Sequence, residues 1–191
     1  MPAICVDIDN VIARTDEVMR QVIREYSKDG VDLAYDDVVC FDYWMCRDAL
    51  GRQLDKSEWK AIHEEFTRNH LLRISPYDNV KEHIARIGER FEVHLATSRL
   101  PEGRPQALVW LRNHEIPYRA LHFVSHGEKH LINQQFVAVV EDDREQGYAF
   151  HTKGVRVFLL AHPWNHVGPH SLLKRIPSWQ DLMGELLGLR V

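Results

Sequence analysis

Apolar and polar positions along this chain follow two rhythms, and each change of rhythm marks an element. Ile4 to Val6 is an unbroken apolar run, the mark of a strand covered on both faces of a parallel sheet. Val18, Met19, Val22, Ile23 and Tyr26 then recur at spacings of one, three and four. That spacing predicts an amphipathic helix, with Thr15 placed to cap it and Lys28-Asp29-Gly30 to end it. Residues 31 to 75 lose the strand rhythm. They hold an aromatic cluster, Phe41, Tyr43 and Trp44, and a helical pattern around Trp59, Ile62, His63 and Phe66. Ser75-Pro76 breaks the chain, and Val80, Ile84 and Ile87 mark another amphipathic helix.

From residue 91 the two rhythms alternate. Strands are expected at Phe91 to Ala96, Leu121 to Val124, Phe136 to Val140 and Val155 to Ala161. Helices are expected at about Glu102 to His114 with Ala107, Leu108 and Leu111 inward, at Glu128 to Gln135, and at Arg144 to His151. A last helix, capped by Ser178, runs through Leu182, Leu186 and Leu187. Strands separated by helices imply parallel βαβ units with right-handed crossovers, hence an α/β three-layer, Rossmann-like sheet. The interval between the first two strands is too long for one crossover, so most of it is expected to be a helical insertion above the strand ends. The division is residues 1–14 and 76–191 as the α/β core and 15–75 as a helical cap.

Four polar clusters fall at or just past strand ends: Asp7/Asp9, Thr97/Ser98, Lys129 and Glu141/Asp142/Asp143. Parallel sheets bind ligands at the carboxyl ends of their strands. Two carboxylates one pleat apart need a cation or a shared proton. Each cluster has a plainer reading. Asp9-Asn10 suits a β-turn, the acidic triplet or Thr97/Ser98 suits a helix or turn cap, and Lys129 suits a solvated lysine. All four on one sheet edge make a hard-oxygen site suited to Mg²⁺, with a hydroxyl and a lysine to cradle a phosphate.

Composition narrows the setting. With 24 basic against 28 acidic residues the net charge is −4, which gives no basic field for a nucleic-acid polymer. The 3 cysteines, Cys5, Cys40 and Cys46, have no metal-type spacing and read as free thiols of a reducing compartment. No stretch approaches the roughly 18 apolar residues of a membrane span. No signal segment opens the chain, so the expected home is the cytoplasm. The histidines His126, His130, His162, His166 and His170 come with no carboxylate at a recognised zinc spacing, and read as solvated or core residues.

The order Asp-x-Asp, strand-Thr, Lys, strand-acidic pair resembles the haloacid dehalogenase superfamily of phosphohydrolases over essentially the whole chain. Asp-x-Asp-x-Val followed at once by a helical insertion is similar to the 5′(3′)-deoxyribonucleotidase branch and its bacterial relatives. Pro163-Trp164-Asn165 and Ile176-Pro177-Ser178-Trp179 look like the tail of those bacterial proteins. Asn10 stands where that family commonly has Gly, which Asn tolerates because it accepts positive φ. Val11 replaces the Thr of many superfamily members, as in the nucleotidase branch.

The resemblance implies roles. Asp7 would attack phosphorus to give an aspartyl-phosphate, and Asp9 would act as general acid and base. Mg²⁺ would be bound by Asp7, the Asp9 carbonyl and Asp142, while Thr97 and Lys129 would hold phosphoryl oxygens. Glu141 and Asp143 either tune the metal or cap a helix, and Ser98 and Arg99 are phosphate neighbours. Phe41, Tyr43, Trp44 and Trp59 either wall a nucleobase or form the cap's own core. The expectation is a Mg²⁺-dependent phosphomonoesterase of nucleotidase type acting on a small phosphate ester, a nucleoside monophosphate before others. A phosphatase for another ester such as a sugar phosphate, or a non-catalytic phosphate-binding regulator, would share the motifs. Oligomeric state is open, a homodimer included.

Overall fold

Strand β1, Ala3–Asp7, is buried along its whole length in the computed structural model, which describes residues 1–167 and 172–190. His170 lies outside the described residues. β1 pairs in parallel with β2 (Glu92–Thr97) on one side and β4 (Phe136–Glu141) on the other. β3 (Ala120–Phe123) extends the sheet beyond β2, and β5 (Arg156–Leu160) and β6 (Leu173–Ile176) extend it beyond β4. The order β3-β2-β1-β4-β5-β6 reverses direction at β1, and the carboxyl ends of β1, β2 and β4 meet at that switch.

Alternate β1 side chains enter different layers. Ile4 and Val6 join the core built by α1 (Thr15–Tyr26), α3 (Val80–Gly88), α4 (Arg104–Asn113) and α6 (Trp179–Leu187). Ala3 and Cys5 face the opposite side, where α5 (Arg144–His151) contributes Phe150. The three-layer expectation holds, with residues alternating across each strand as the pleat requires.

β6 breaks the expected count of five strands. Its sequence, Leu173-Lys174-Arg175-Ile176, puts two cations mid-strand, as suits a short edge that must resist pairing with another chain. Three further expectations need correction. The helix expected at Glu128 to Gln135 contracts to a single 3-10 turn, Lys129–Leu131. Leu108 is exposed, and Trp110 turns inward beside Ala107 and Leu111, its Nε1 donating to the Ile74 carbonyl at 2.7 Å. Tyr26 at the end of α1 is also exposed, while Val18, Met19, Val22 and Ile23 are buried as their spacing requires.

Between β1 and α3 the chain makes α1, two 3-10 turns (Tyr35–Asp37 and Tyr43–Met45), α2 (Lys56–Asn69) and a third turn, Leu71–Arg73. The two ends of this stretch lie side by side. Arg14 N–H donates to the Ser75 carbonyl (2.9 Å) and Tyr77 N–H to the Ile12 carbonyl (3.0 Å). A long excursion therefore leaves and rejoins the sheet where Ile12–Arg14 and Ser75–Tyr77 run side by side.

Candidate functional site

Where β1 ends the chain must turn within a few residues, and Asn10 does it at φ 57°, the left-handed region that Asn tolerates. The Asn10 side chain accepts from Asp16 N–H (2.8 Å), tying the turn to the first turn of α1. This fixes Asp7 and Asp9 in the floor of a cavity of about 420 Å³. Lys129, Ser98, Arg99, Asp142 and Asp143 complete its floor. Phe41, Asp42, Tyr43, Trp59, His63 and Phe66 form its roof.

Lys129 is buried and joins two strands, its Nζ lying 2.9 Å from Asp7 Oδ1 and 2.7 Å from Glu141 Oε1. Ile8 N–H also donates to Asp7 Oδ1 (2.7 Å), so both contacts orient the Asp7 carboxylate through the same oxygen. Oxygens of Asp7, Glu141 and Asp142 all lie within 4.8 Å of one another. Burial and mutual repulsion act on these acids. Burial raises Asp7 against the pull of Lys129 and raises Asp142 well above the carboxylate range, and Glu141 is pushed up to about 8. Ionising all three buried acids against one lysine would leave an excess of negative charge, which holds their protons on and which a divalent cation would neutralise. Glu141 Oε2 is buried without a partner among the described residues. Hard oxygen donors in excess of positive charge fit an ion such as Mg²⁺.

Asp9 is held differently. Arg99 grips it through Nε (3.0 Å to Oδ2) and Nη2 (2.7 Å to Oδ1), and Thr15 Oγ1 donates to Oδ1 at 2.6 Å. Burial pushes the Asp9 carboxyl up, but Arg99 and Thr15 outweigh it and leave it below the usual range. Thr97 is fully buried, and its hydroxyl donates to Asp9 Oδ2 at 3.3 Å.

Two expectations about this region are corrected here. Thr15 is not a helix cap: Arg14 holds that position, and the Thr15 hydroxyl serves Asp9. Trp44 does not line the cavity. It packs partly buried against the core, with Lys56 Nζ 5.6 Å from its ring centroid. Tyr43 lines the cavity but its hydroxyl donates to Asp16 Oδ1 (2.8 Å), so it is wall and core at once. Asp143 caps α5 by accepting from Glu145 and Gln146 N–H, whereas Glu141 joins the carboxylate group. Ser98 lines the cavity, its hydroxyl donating to the Ser125 carbonyl at 3.4 Å.

His63 and Asp42 line the cavity and were not marked as site residues by sequence alone. His63 follows Trp59 by one helical turn on α2 and stacks on it (5.3 Å, 25°), so helical spacing carried that signal. Asp42, in an irregular stretch, left none.

The family described as 5′ nucleotidase, deoxy (Pyrimidine), cytosolic type C protein matches residues 1–190. No curated protein matches the chain. Among solved structures, a HAD family hydrolase from Deinococcus radiodurans R1, with bound phosphate and sodium, is similar at 14% identity and a TM-score of 0.66, over 97% of this chain and 95% of that one. L-2-haloacid dehalogenase from Xanthobacter autotrophicus is similar at 12% identity and a TM-score of 0.62 over 100% of both chains. CbbY from Rhodobacter sphaeroides, in complex with phosphate, is similar at 15% identity and a TM-score of 0.59, over 95% of this chain and 96% of that one. At these identities the structures show the fold alone. The matched family gives the chemistry its class: this chain belongs to the deoxynucleotidase-type phosphohydrolases of the haloacid dehalogenase superfamily.

Proposed function

We propose that the protein is a Mg²⁺-dependent phosphomonoesterase that works through an aspartyl-phosphate on Asp7, with a nucleoside monophosphate as its substrate. The observation that carries this reading is the Asp7 carboxylate, fixed through Oδ1 by Lys129 and Ile8 beside Glu141 and Asp142. Its second oxygen, Oδ2, is the nucleophile. Attack on phosphorus forms the Asp7–phosphorus bond and expels the alkoxide, which Asp9 protonates. Asp9 then takes a proton from water, which cleaves the acyl phosphate and returns Asp7.

Lys129 binds a phosphoryl oxygen where charge develops, and Thr97 keeps Asp9 in line. Asp7, Asp142, the Asp9 carbonyl and the adjacent Glu141 would hold Mg²⁺. When bound, the ion screens the repulsion between nucleophile and phosphate. The stretch 15–75 acts as a cap on the core formed by 1–14 and 76–191, and its roof residues meet whatever the phosphate is attached to. Phe41 and Trp59 favour a flat base, since stacking on one aromatic ring gains about 1–3 kcal/mol.

The test is phosphate release from a panel of nucleoside monophosphates, sugar phosphates and acetyl phosphate, run on the unaltered protein and on Asp7→Asn. Nucleotides should lead the panel, and Asp7→Asn should lose turnover by about three orders of magnitude or more while keeping its fold. Near-normal turnover in a folded Asp7→Asn protein removes Asp7 as nucleophile. Preference for sugar phosphates removes the nucleotidase reading and keeps the phosphatase.

A further inference from the structure

His162-Pro163-Trp164-Asn165, just past β5, takes no part in the chemistry above, yet His162, Trp164 and Asn165 are all buried and reach the catalytic edge. Trp164 Nε1 donates to Asp142 Oδ2 at 3.2 Å, and Asn165 Nδ2 donates to the Asp142 carbonyl at 2.9 Å. One segment thus pins both the side chain and the backbone of one carboxylate.

That segment is itself fixed on every side. Asn165 Nδ2 also donates to the Leu160 carbonyl, while its Oδ1 accepts from His162 N–H (3.0 Å) and Arg175 Nε (3.1 Å). Two donor and two acceptor sites exhaust what an amide offers, so its orientation is determined. The Trp164 ring lies flat on His162 (4.4 Å, 2°). His162 is held at both nitrogens. The Asn10 carbonyl can only accept, so Nε2 donates to it (2.8 Å), and Nδ1 accepts from the Tyr35 hydroxyl (2.8 Å). Asn10 belongs to the turn that places Asp7 and Asp9, and Tyr35 belongs to the cap. Phe41, a roof residue, packs tilted against the Trp164 ring (5.7 Å between centroids).

We propose that His162, Trp164 and Asn165 are positioning residues that aim Asp142 at the metal, and that Tyr35 ties the seating of the cap to this aim. The inference rests on the metal reading above. Its physical basis is the crowding of Asp142 against Asp7 and Glu141, which drives a free carboxylate to rotate away. A donor on Oδ2 fixes the rotation of the Asp142 carboxylate and keeps it beside the other two acids. Donors to a ligating carboxylate act in this way on metal affinity, and their loss weakens binding by about 10–100-fold.

Trp164→Phe keeps an aromatic ring for the stack and removes the Nε1–H donor together with the five-membered ring that carries it. Calorimetric titration of the protein with Mg²⁺ alone should show the dissociation constant rise by roughly 10–100-fold. Circular dichroism of the metal-free protein separates this from misfolding. Tyr35→Phe, at the cap end of the same chain of bonds, should weaken Mg²⁺ binding by roughly two- to tenfold, the worth of one hydrogen bond. It decides the question if Trp164→Phe does not fold. Mg²⁺ affinity unchanged within about twofold in the folded Trp164→Phe protein, or in Tyr35→Phe where that variant decides, overturns the proposal and leaves the phosphatase reading standing. No Mg²⁺ binding by the unaltered protein overturns both.

Discussion

Arg99 and Asp9, ninety residues apart in the chain, form a two-pronged ion pair at 3.0 and 2.7 Å, with the guanidinium almost wholly buried. A third nitrogen, Nη1, is buried without a partner among the described residues, and Arg99 lines the cavity. The fork fixes the Asp9 carboxyl group in one orientation beside the cavity. Arg99→Gln should therefore lower kcat by about a hundredfold, the cost of a catalytic group displaced by an ångström. Arg99→Lys restores the charge but not the fork, and should fall between the two. Steady-state phosphate release decides it, and near-normal kcat in Arg99→Gln would leave Arg99 only a structural part.

Metal removal should have a sharper outcome. Activity should vanish with chelator, return with Mg²⁺ and be blocked by Ca²⁺, whose looser, larger shell suits in-line transfer poorly. The same phosphate-release measurement after exhaustive chelation checks this. Full retained activity contradicts it.

The roof separates two neighbouring rings. Phe41 lines the cavity and Trp44 does not. Phe41→Ala should lower kcat/KM for a nucleoside monophosphate by roughly 5- to 150-fold, the factor implied by one stacking contact. Acetyl phosphate, which has no ring, should change far less, and Trp44→Ala should spare both substrates in a folded protein. Equal loss for acetyl phosphate and nucleotide in Phe41→Ala would make that ring a packing element.

His162 gives a pH dependence with a definite sign. Burial, with Arg175 adding to it, pushes its imidazole down to about 4 against an ordinary value of 6.5. The unfolded chain takes up a proton as pH falls through 6.5, and the folded protein does so only near 4. Stability from this group is therefore present above pH 6.5 and is lost as pH falls from there toward 4, by roughly 3 kcal/mol in all. Urea unfolding of the unaltered protein and of His162→Gln at pH 7 and pH 5 measures it. The variant should lose the histidine's share of the slope, and an identical slope in both proteins would refute the assignment.

Local periodicity determined a great deal here by itself. An apolar run with Asp at its end predicts a buried strand presenting a carboxylate, and β1 and Asp7 are where that logic puts them. Helices α1 and α3 bury Val18, Val22, Ile84 and Ile87 because 3.6-residue spacing is a property of the sequence. The tertiary structure decided what depends on partners distant in the chain. Thr15 and Arg99 converge on Asp9, and Tyr35 reaches His162 across 127 residues, through side-chain geometry that no spacing encodes. Leu108 and Trp110 differ by two positions on α4, and Trp110, the one that went inward, found a buried partner in the Ile74 carbonyl. Phe41 and Trp44 lie around a 3-10 turn too short to have a period, so the direction of each ring waited on the surfaces that surround it. β6 was hidden because an edge strand carries its cations where a central strand would carry valines, and only its pairing with β5 makes it a strand.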